Sequence, residues 1–299
     1  MAVSSSSAAA PAGLAERLRR TVALLERRGY ALTADRLAEV CLGGPVAPEL
    51  LPAAIFASGL AISSGVVVTP AAKARAGAIR DRQAGHSGSA PRYLAEADAF
   101  ARTLAAWFPF VISVSVAGSL ASGGFRETDD VDLNLVVEDG HRHLAYVALN
   151  LLGVVHALRH RGKPVDAHTA RPFAPRLMTA NLVLERSDCF PLVRQDEDMA
   201  YELLASRPVV GSAFLGTMAA ANPGLGAHFP QLRSPLDPCA PVRPRLPAVL
   251  FPTFLDAPAH TLGKLAWRYM QWTRRHRPEA LARVAFVRST MRPYALFDE

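Results

Sequence analysis

The sequence predicts an α/β (α+β) protein, a small mixed β-sheet flanked by helices, with helical regions at the N- and C-terminal ends. Two observations carry this. Between Pro91 and Glu185 the apolar pattern switches from a helical period to alternation and back, in the order helix, strand, loop, strand, helix, strand. Outside that span apolar residues recur mainly at helical spacing. A chain of 299 residues, 50% apolar and 20% charged, is ample for a buried core.

Residues 1–13 are Ser/Ala-rich, with no charged segment ahead of an apolar one, and read as a disordered tail without a secretory signal. Leu14 to Cys41 reads as two amphipathic helices, with Leu18, Val22 and Leu25 at near-helical spacing and a break at Gly29. Leu50 to Ala72 carries no charge and is long enough to cross a bilayer. Diluted by prolines, glycines and serines, it reads as a pair of buried helices broken near Ser63, Ser64 and Gly65. Membrane association is the alternative, and Lys73, Arg75, Arg80 and Arg82 would then suit a cytoplasmic flank. Arg80 to Ala90 is polar and Gly/Ser-rich, a loop that closes an N-terminal helical region, 14–90.

The core, 91–185, opens with Pro91 in the first turn of a helix that reaches about Phe108. Leu94, Ala97, Phe100, Leu104 and Trp107 fall on one face of it. Val111 to Ala117 and Val131 to Val137 alternate as strands do. His141 to Arg159 is helical, and Pro164 to Thr169 and Asn181 to Glu185 are short strand candidates. A C-terminal helical region, 186–299, follows, with helices near 196–205, 212–221, 260–276 and 279–290. Pro230 to Pro252 is a long connection between them.

The formal net charge of +7 comes almost entirely from arginine. It raises the local concentration of anionic partners, whether nucleic acid, nucleotide phosphate or membrane surface, and selects none. Cys41, Cys189 and Cys239 lie far apart, without the spacing of a zinc site or disulfide scaffold, and read as buried thiols of a cytoplasmic protein.

The informative stretch is Gly118-Ser119, a small and polar loop, and Asp130-Val131-Asp132-Leu133 at the start of the second strand. Side chains alternate along a strand, so Asp130 and Asp132 point to one side, about 6 to 7 Å apart along the chain. Such a pair suits magnesium, a hard cation commonly shared between one or two carboxylates, water and substrate phosphates. Gly118 lets backbone approach closely, neighbouring N–H groups can cradle phosphate oxygens, and the Ser119 hydroxyl can donate another hydrogen bond. Asp129 faces the other way and reads as a loop carboxylate. Arg126 could meet a phosphate from the loop, with a solvated arginine as the alternative. For the whole stretch the alternative is a glycine-rich turn before an ordinary strand with an acidic edge.

These residues resemble the DNA polymerase β-like nucleotidyltransferase superfamily, whose signature is Gly-Ser, about ten residues, then Asp-h-Asp-h with h apolar. Ten residues separate Ser119 from Asp130 here. The resemblance implies that Gly118 and Ser119 bind a nucleoside triphosphate and that Asp130 and Asp132 hold Mg2+, as one or two ions. It also implies a third metal-binding carboxylate on a later strand, which activates an acceptor hydroxyl. Asp166 is the candidate, with a turn or capping role as its alternative, and His168 on the same face reads as structural. Less specifically, Leu182 to Pro230, with Glu202-Leu203 and Ala221-Asn222-Pro223, is similar to the region after the core in stand-alone bacterial members. No role transfers to those residues.

The implied reaction moves a nucleoside monophosphate to a hydroxyl of a small molecule, a protein or RNA. The alternative is a catalytically silent nucleotide-binding regulatory module of the same fold. Leu262 to Arg277 combines Lys264, Arg268, Arg274, Arg275 and Arg277 with Trp267, Tyr269 and Trp272. It reads as an amphipathic helix that buries its aromatics, while nucleic-acid binding or a membrane-surface helix are the alternatives.

Overall fold

The switch from helical to alternating apolar residues has the expected outcome in a computed structural model, which describes residues 12–159, 178–291 and 294–297. These form two compact units, Met1–Arg82 with Ala227–Gln231, and Gln83–Gly226 with Leu232–Glu299.

In the first unit, α1 (Ala12–Arg27) buries Leu14, Leu18, Val22 and Leu25 along one stripe. Gly29, at φ 78°, lets the chain turn away into α2 (Ala34–Glu39). Thr33 caps α2 by accepting a hydrogen bond from the Arg36 amide. The pair of helices expected over Leu50 to Ala72 is not what forms. Only α3 (Leu51–Ala57) is α-helical, β1 (Ala61–Ser63) and β2 (Val66–Val68) follow as an antiparallel hairpin, and a 3-10 turn, Pro70–Arg75, closes the stretch. Ser64 and Gly65 both take positive φ, as a two-residue turn between twisted strands requires. Three consecutive valines, all buried, favour a strand at its core position. Among the described residues no helix is long and apolar enough to cross a membrane.

α4 (Ala76–Trp107) corrects the loop expected over Arg80 to Ala90, because one helix runs through that segment and through Pro91. Packing decides against local preference here. Ala90, Tyr93, Ala97, Phe100, Ala101 and Leu104 form a buried stripe that offsets the glycines, while Trp107, expected on that face, is 40% exposed.

The second unit is built on a four-stranded sheet. After α4 come β3 (Val111–Val116), the short α5 (Gly118–Ser122), β4 (Val131–Val137), α6 (Arg142–Arg159) and β5 (Met178–Glu185). Then follow α7 (Glu197–Ala205), β6 (Arg207–Val210), α8 (Ser212–Ala221), α9 (Pro223–His228), α10 (Asp256–Arg274) and α11 (Pro278–Met291). The strand order is β5-β4-β3-β6, with β4 and β5 parallel and the other pairs antiparallel, so the sheet is mixed as expected. β6 lies in the C-terminal region expected to hold helices and a long connection but no strand. It is four residues long and carries Pro208, which an edge strand tolerates.

Val131, Leu133, Leu135 and Val137 of β4 join one core with the buried stripe of α4 and with Ala145, Ala148 and Leu149 of α6. Alternation therefore turns Asp132 and Asn134 to the opposite face of the sheet. The aromatics of α10 are not buried as expected. Tyr269 and Trp272 are exposed, and Arg275 stacks over Trp272 at 4.1 Å. Only Trp267 turns inward, toward Phe297.

All three cysteines are free, and burial pushes the Cys189 thiol up to about 12.

Asp256 closes the N-terminus of α6 from far along the chain. Its Oδ1 accepts from the amides of His143 and Leu144, each at 2.8 Å, and its Oδ2 lies 2.7 Å from His143 Nδ1. Burial pushes the Asp256 carboxyl up, but the hydrogen bonds from His143 and the two amides outweigh it and leave it below the usual range. A folded-state value below the unfolded one, about 3.9, means the contribution is complete above that pH and is lost as pH falls through the folded value. Asp256→Ala should therefore lower the unfolding free energy at pH 7 by about 1–3 kcal/mol. In urea titrations its difference from the parent should shrink below pH ~4; an equal difference at pH 3 and pH 7 would contradict the cap.

Candidate functional site

β3 ends and the chain turns at Gly118, whose φ is 59°. The Ala117 amide donates to the Asp132 carbonyl at 2.8 Å, which brings the turn directly over the start of β4. A Cβ built on Gly118 would lie 2.0 Å from Asp132 Oδ2 and 2.8 Å from its Cγ. Only glycine fits, both for its backbone angle and for the carboxylate packed against it. The other carboxylate oxygen, Oδ1, accepts from the Thr179 hydroxyl on β5 at 3.1 Å. Asp132 is thus held from two sides.

The loop between the strands has its own supports. Phe125 is buried against Tyr93 of α4, with ring centroids 4.8 Å apart, and its amide donates to His86 Nδ1 at 3.2 Å. The Asp129 carboxylate accepts from the Ser119 hydroxyl at 3.2 Å and from the Arg126 amide at 3.0 Å. Asp129 therefore ties the two ends of the loop together. Ser119 is buried, so its hydroxyl would reach a phosphate only by exchanging or sharing that bond.

Asp130 immediately precedes β4 and is half-buried, as is Asp132, while Arg126 is exposed on the loop. The structure thus brings Gly118, Ser119 and Asp132 together, with Asp130 at the entrance to the same strand. Asp166 and His168 lie outside the described residues, as does the strand expected over Pro164 to Thr169. Among the described residues, no group of three or more His, Cys, Asp or Glu side chains could hold a metal. What they offer is the Asp132 carboxylate beside a turn that excludes a side chain, with Asp130 two positions earlier at the entrance to the strand. That set fits a hard divalent cation whose remaining ligands are phosphate and water.

Several polar residues on this face escaped sequence reasoning. Asn134 lies two positions beyond Asp132, and its amide donates to the buried Glu202 carboxylate at 3.2 Å. Asn181 on β5 donates both to that carboxylate and to the Asn134 carbonyl oxygen, each at 2.8 Å. The alternation Asp130, Asp132, Asn134 was the available signal for one of them. Asn222 proves structural: fully buried, it bridges the Leu192 amide and the Cys189 and Met218 carbonyls.

Comparison with protein-family models, with curated proteins and with solved structures finds no match.

Two glycine substitutions separate the contact at Gly118 from the backbone angle. Gly123 also takes a positive φ, of 90°, but an added Cβ there meets nothing within 4 Å. Gly123→Ala should cost about 1–2 kcal/mol, the backbone contribution alone. Gly118→Ala carries the clash with Asp132 as well and should cost clearly more in denaturant titrations. Equal losses would contradict the close approach.

Proposed function

We propose that this protein is a magnesium-dependent nucleotidyltransferase that moves a nucleoside monophosphate from a nucleoside triphosphate to an acceptor hydroxyl, releasing pyrophosphate. The approach of Gly118 to Asp132 carries the reading, because it joins the two halves of a signature separated by a ten-residue gap. The mixed sheet, with Asp132 near the start of a strand that has partners on both sides, supports it.

Asp130 and Asp132 would hold magnesium, and Asp166 is the proposed third carboxylate. Magnesium, when bound, offsets negative charge on the phosphoryl oxygens and makes a nearby hydroxyl more acidic. The chain's own residues bind and orient. The Gly118-Ser119 turn receives phosphate oxygens, Ser119 exchanges its bond to Asp129 for one to the substrate, and exposed Arg126 meets the triphosphate from the loop. The acceptor oxygen attacks the α-phosphorus in line as its proton passes to a carboxylate, Asp166 in this proposal. The bond from the α-phosphorus to the bridging oxygen breaks, and pyrophosphate carries those electrons away. A cytoplasmic location accords with free cysteines and with a nucleoside triphosphate substrate.

Incubation with magnesium and each nucleoside triphosphate, with and without cell extract, should release pyrophosphate. Asp130→Ala and Asp132→Ala should each reduce that release by about 100-fold or more, the scale of losing an electrostatic contact to a transition state. Parental rates in folded variants would refute the assignment. Nucleotide binding without turnover, whatever acceptor is present, would identify the silent regulatory module instead. Asp166→Asn should lower turnover far more than nucleotide affinity, and equal losses would remove it from the proton-transfer role.

A further inference from the structure

A second polar constellation lies beside the acidic pair and is not part of the proposed chemistry. Glu202 on α7 and Asn134 on β4 are 6% and 8% exposed. Glu202 Oε1 accepts from both Asn134 Nδ2 and Asn181 Nδ2, and Asn181 Nδ2 also donates to Asn134 Oδ1. A buried carboxylate is costly to desolvate, and well-packed apolar side chains would fill the same volume more favourably. Its hydrogen bonds do something an apolar core would not, which is to fix two strands at one relative position.

The strands need fixing there. Along the parallel ladder Asp132 stands opposite Thr179 and Leu133 opposite Ala180, but Asn134 stands opposite Leu182. Asn181 is therefore the extra residue of a bulge, and bulges re-aim side chains and disturb register locally. Thr179, which donates to Asp132 Oδ1, lies two residues before the bulged Asn181. A slip there would carry Thr179 away from Asp132 and leave Asp132 Oδ1 without that hydrogen bond. α7 also packs against α5, the element that begins with Gly118.

We infer that Glu202 is a positioning residue, clamping Asn134 and Asn181 across the β4–β5 bulge and thereby holding Asp132 in the geometry that binds the metal–nucleotide complex. The inference rests on the magnesium-nucleotide reading of Asp130 and Asp132. Both amides reach the same carboxylate oxygen, so a neutral side chain that keeps an oxygen there can still accept from both.

Three variants test it, with manganese affinity followed by electron paramagnetic resonance, and kcat and KM measured beside thermal stability. Glu202→Gln retains an acceptor oxygen and should stay within about twofold of the parent in kcat and manganese affinity. Glu202→Leu removes the acceptor and should lose about 10–100-fold in both, the range for groups that support metal ligands, with acceptor KM unchanged. Asn181→Ala, at a half-buried position, should fold and show a smaller loss in the same two quantities, which keeps the test open if Glu202→Leu does not fold. A folded Glu202→Leu or Asn181→Ala with parental kcat and manganese affinity overturns the inference. So does a Glu202→Gln variant that loses as much as Glu202→Leu, since charge would then be what matters. A parent that neither binds manganese nor turns over nucleotide overturns the reading of the acidic pair, and this inference with it.

Discussion

The missing side chain at Gly118 allows a carboxylate oxygen of Asp132 to lie where a Cβ would otherwise be, and the rest of the candidate site is arranged around that approach. It requires a left-handed backbone angle, a strand that delivers Ala117 into the last hydrogen bond of the β3–β4 ladder, and an acidic strand in fixed register. Any other residue at this position would force the turn and the carboxylate apart. A bare backbone facing a carboxylate is also a place where an anionic group and a cation can be brought together without steric obstruction.

Around this contact the supports divide by distance. Phe125 anchors the loop in the core, and Asp129, near its end, closes it by accepting from Ser119 at its start and braces the local turn at Arg126. Thr179 fixes one oxygen of Asp132 from the adjacent strand. Beyond these, the Glu202, Asn134 and Asn181 cluster lies at the point where the ladder is irregular. The apolar face of β4 is secured by helices, and its polar face by hydrogen bonds. One strand can thus carry both core and candidate site.

What could be read in the sequence was whatever is local. The alternation of Val111 to Val116 and Val131 to Val137 marked both central strands, and Gly118, Ser119, Asp130 and Asp132 stood out because their spacing along the chain is itself the signal. Features decided by distant partners did not show. The Gly/Ser-rich segment before Pro91 is helical because its neighbours along α4 bury a continuous stripe. Val66 to Val68 form a strand that also bridges to Leu32, 35 positions earlier, where the Val67 amide donates to the Leu32 carbonyl. β6 is too short, and too compromised by Pro208, to be seen without the β3 edge it completes. In the site, Thr179, Asn181 and Glu202 come from 47 to 70 positions beyond Asp132, and nothing near them in sequence indicates that they face it.

The most direct measurement of the central claim is a structure of the protein with magnesium and a non-hydrolysable nucleoside triphosphate. Magnesium should be bound by oxygens of Asp130 and Asp132 at about 2.0–2.1 Å, with the phosphates against Gly118 and Ser119 and the Ser119 hydroxyl turned from Asp129 to a phosphate oxygen. A triphosphate bound elsewhere, or a magnesium ion that neither aspartate touches, would contradict it.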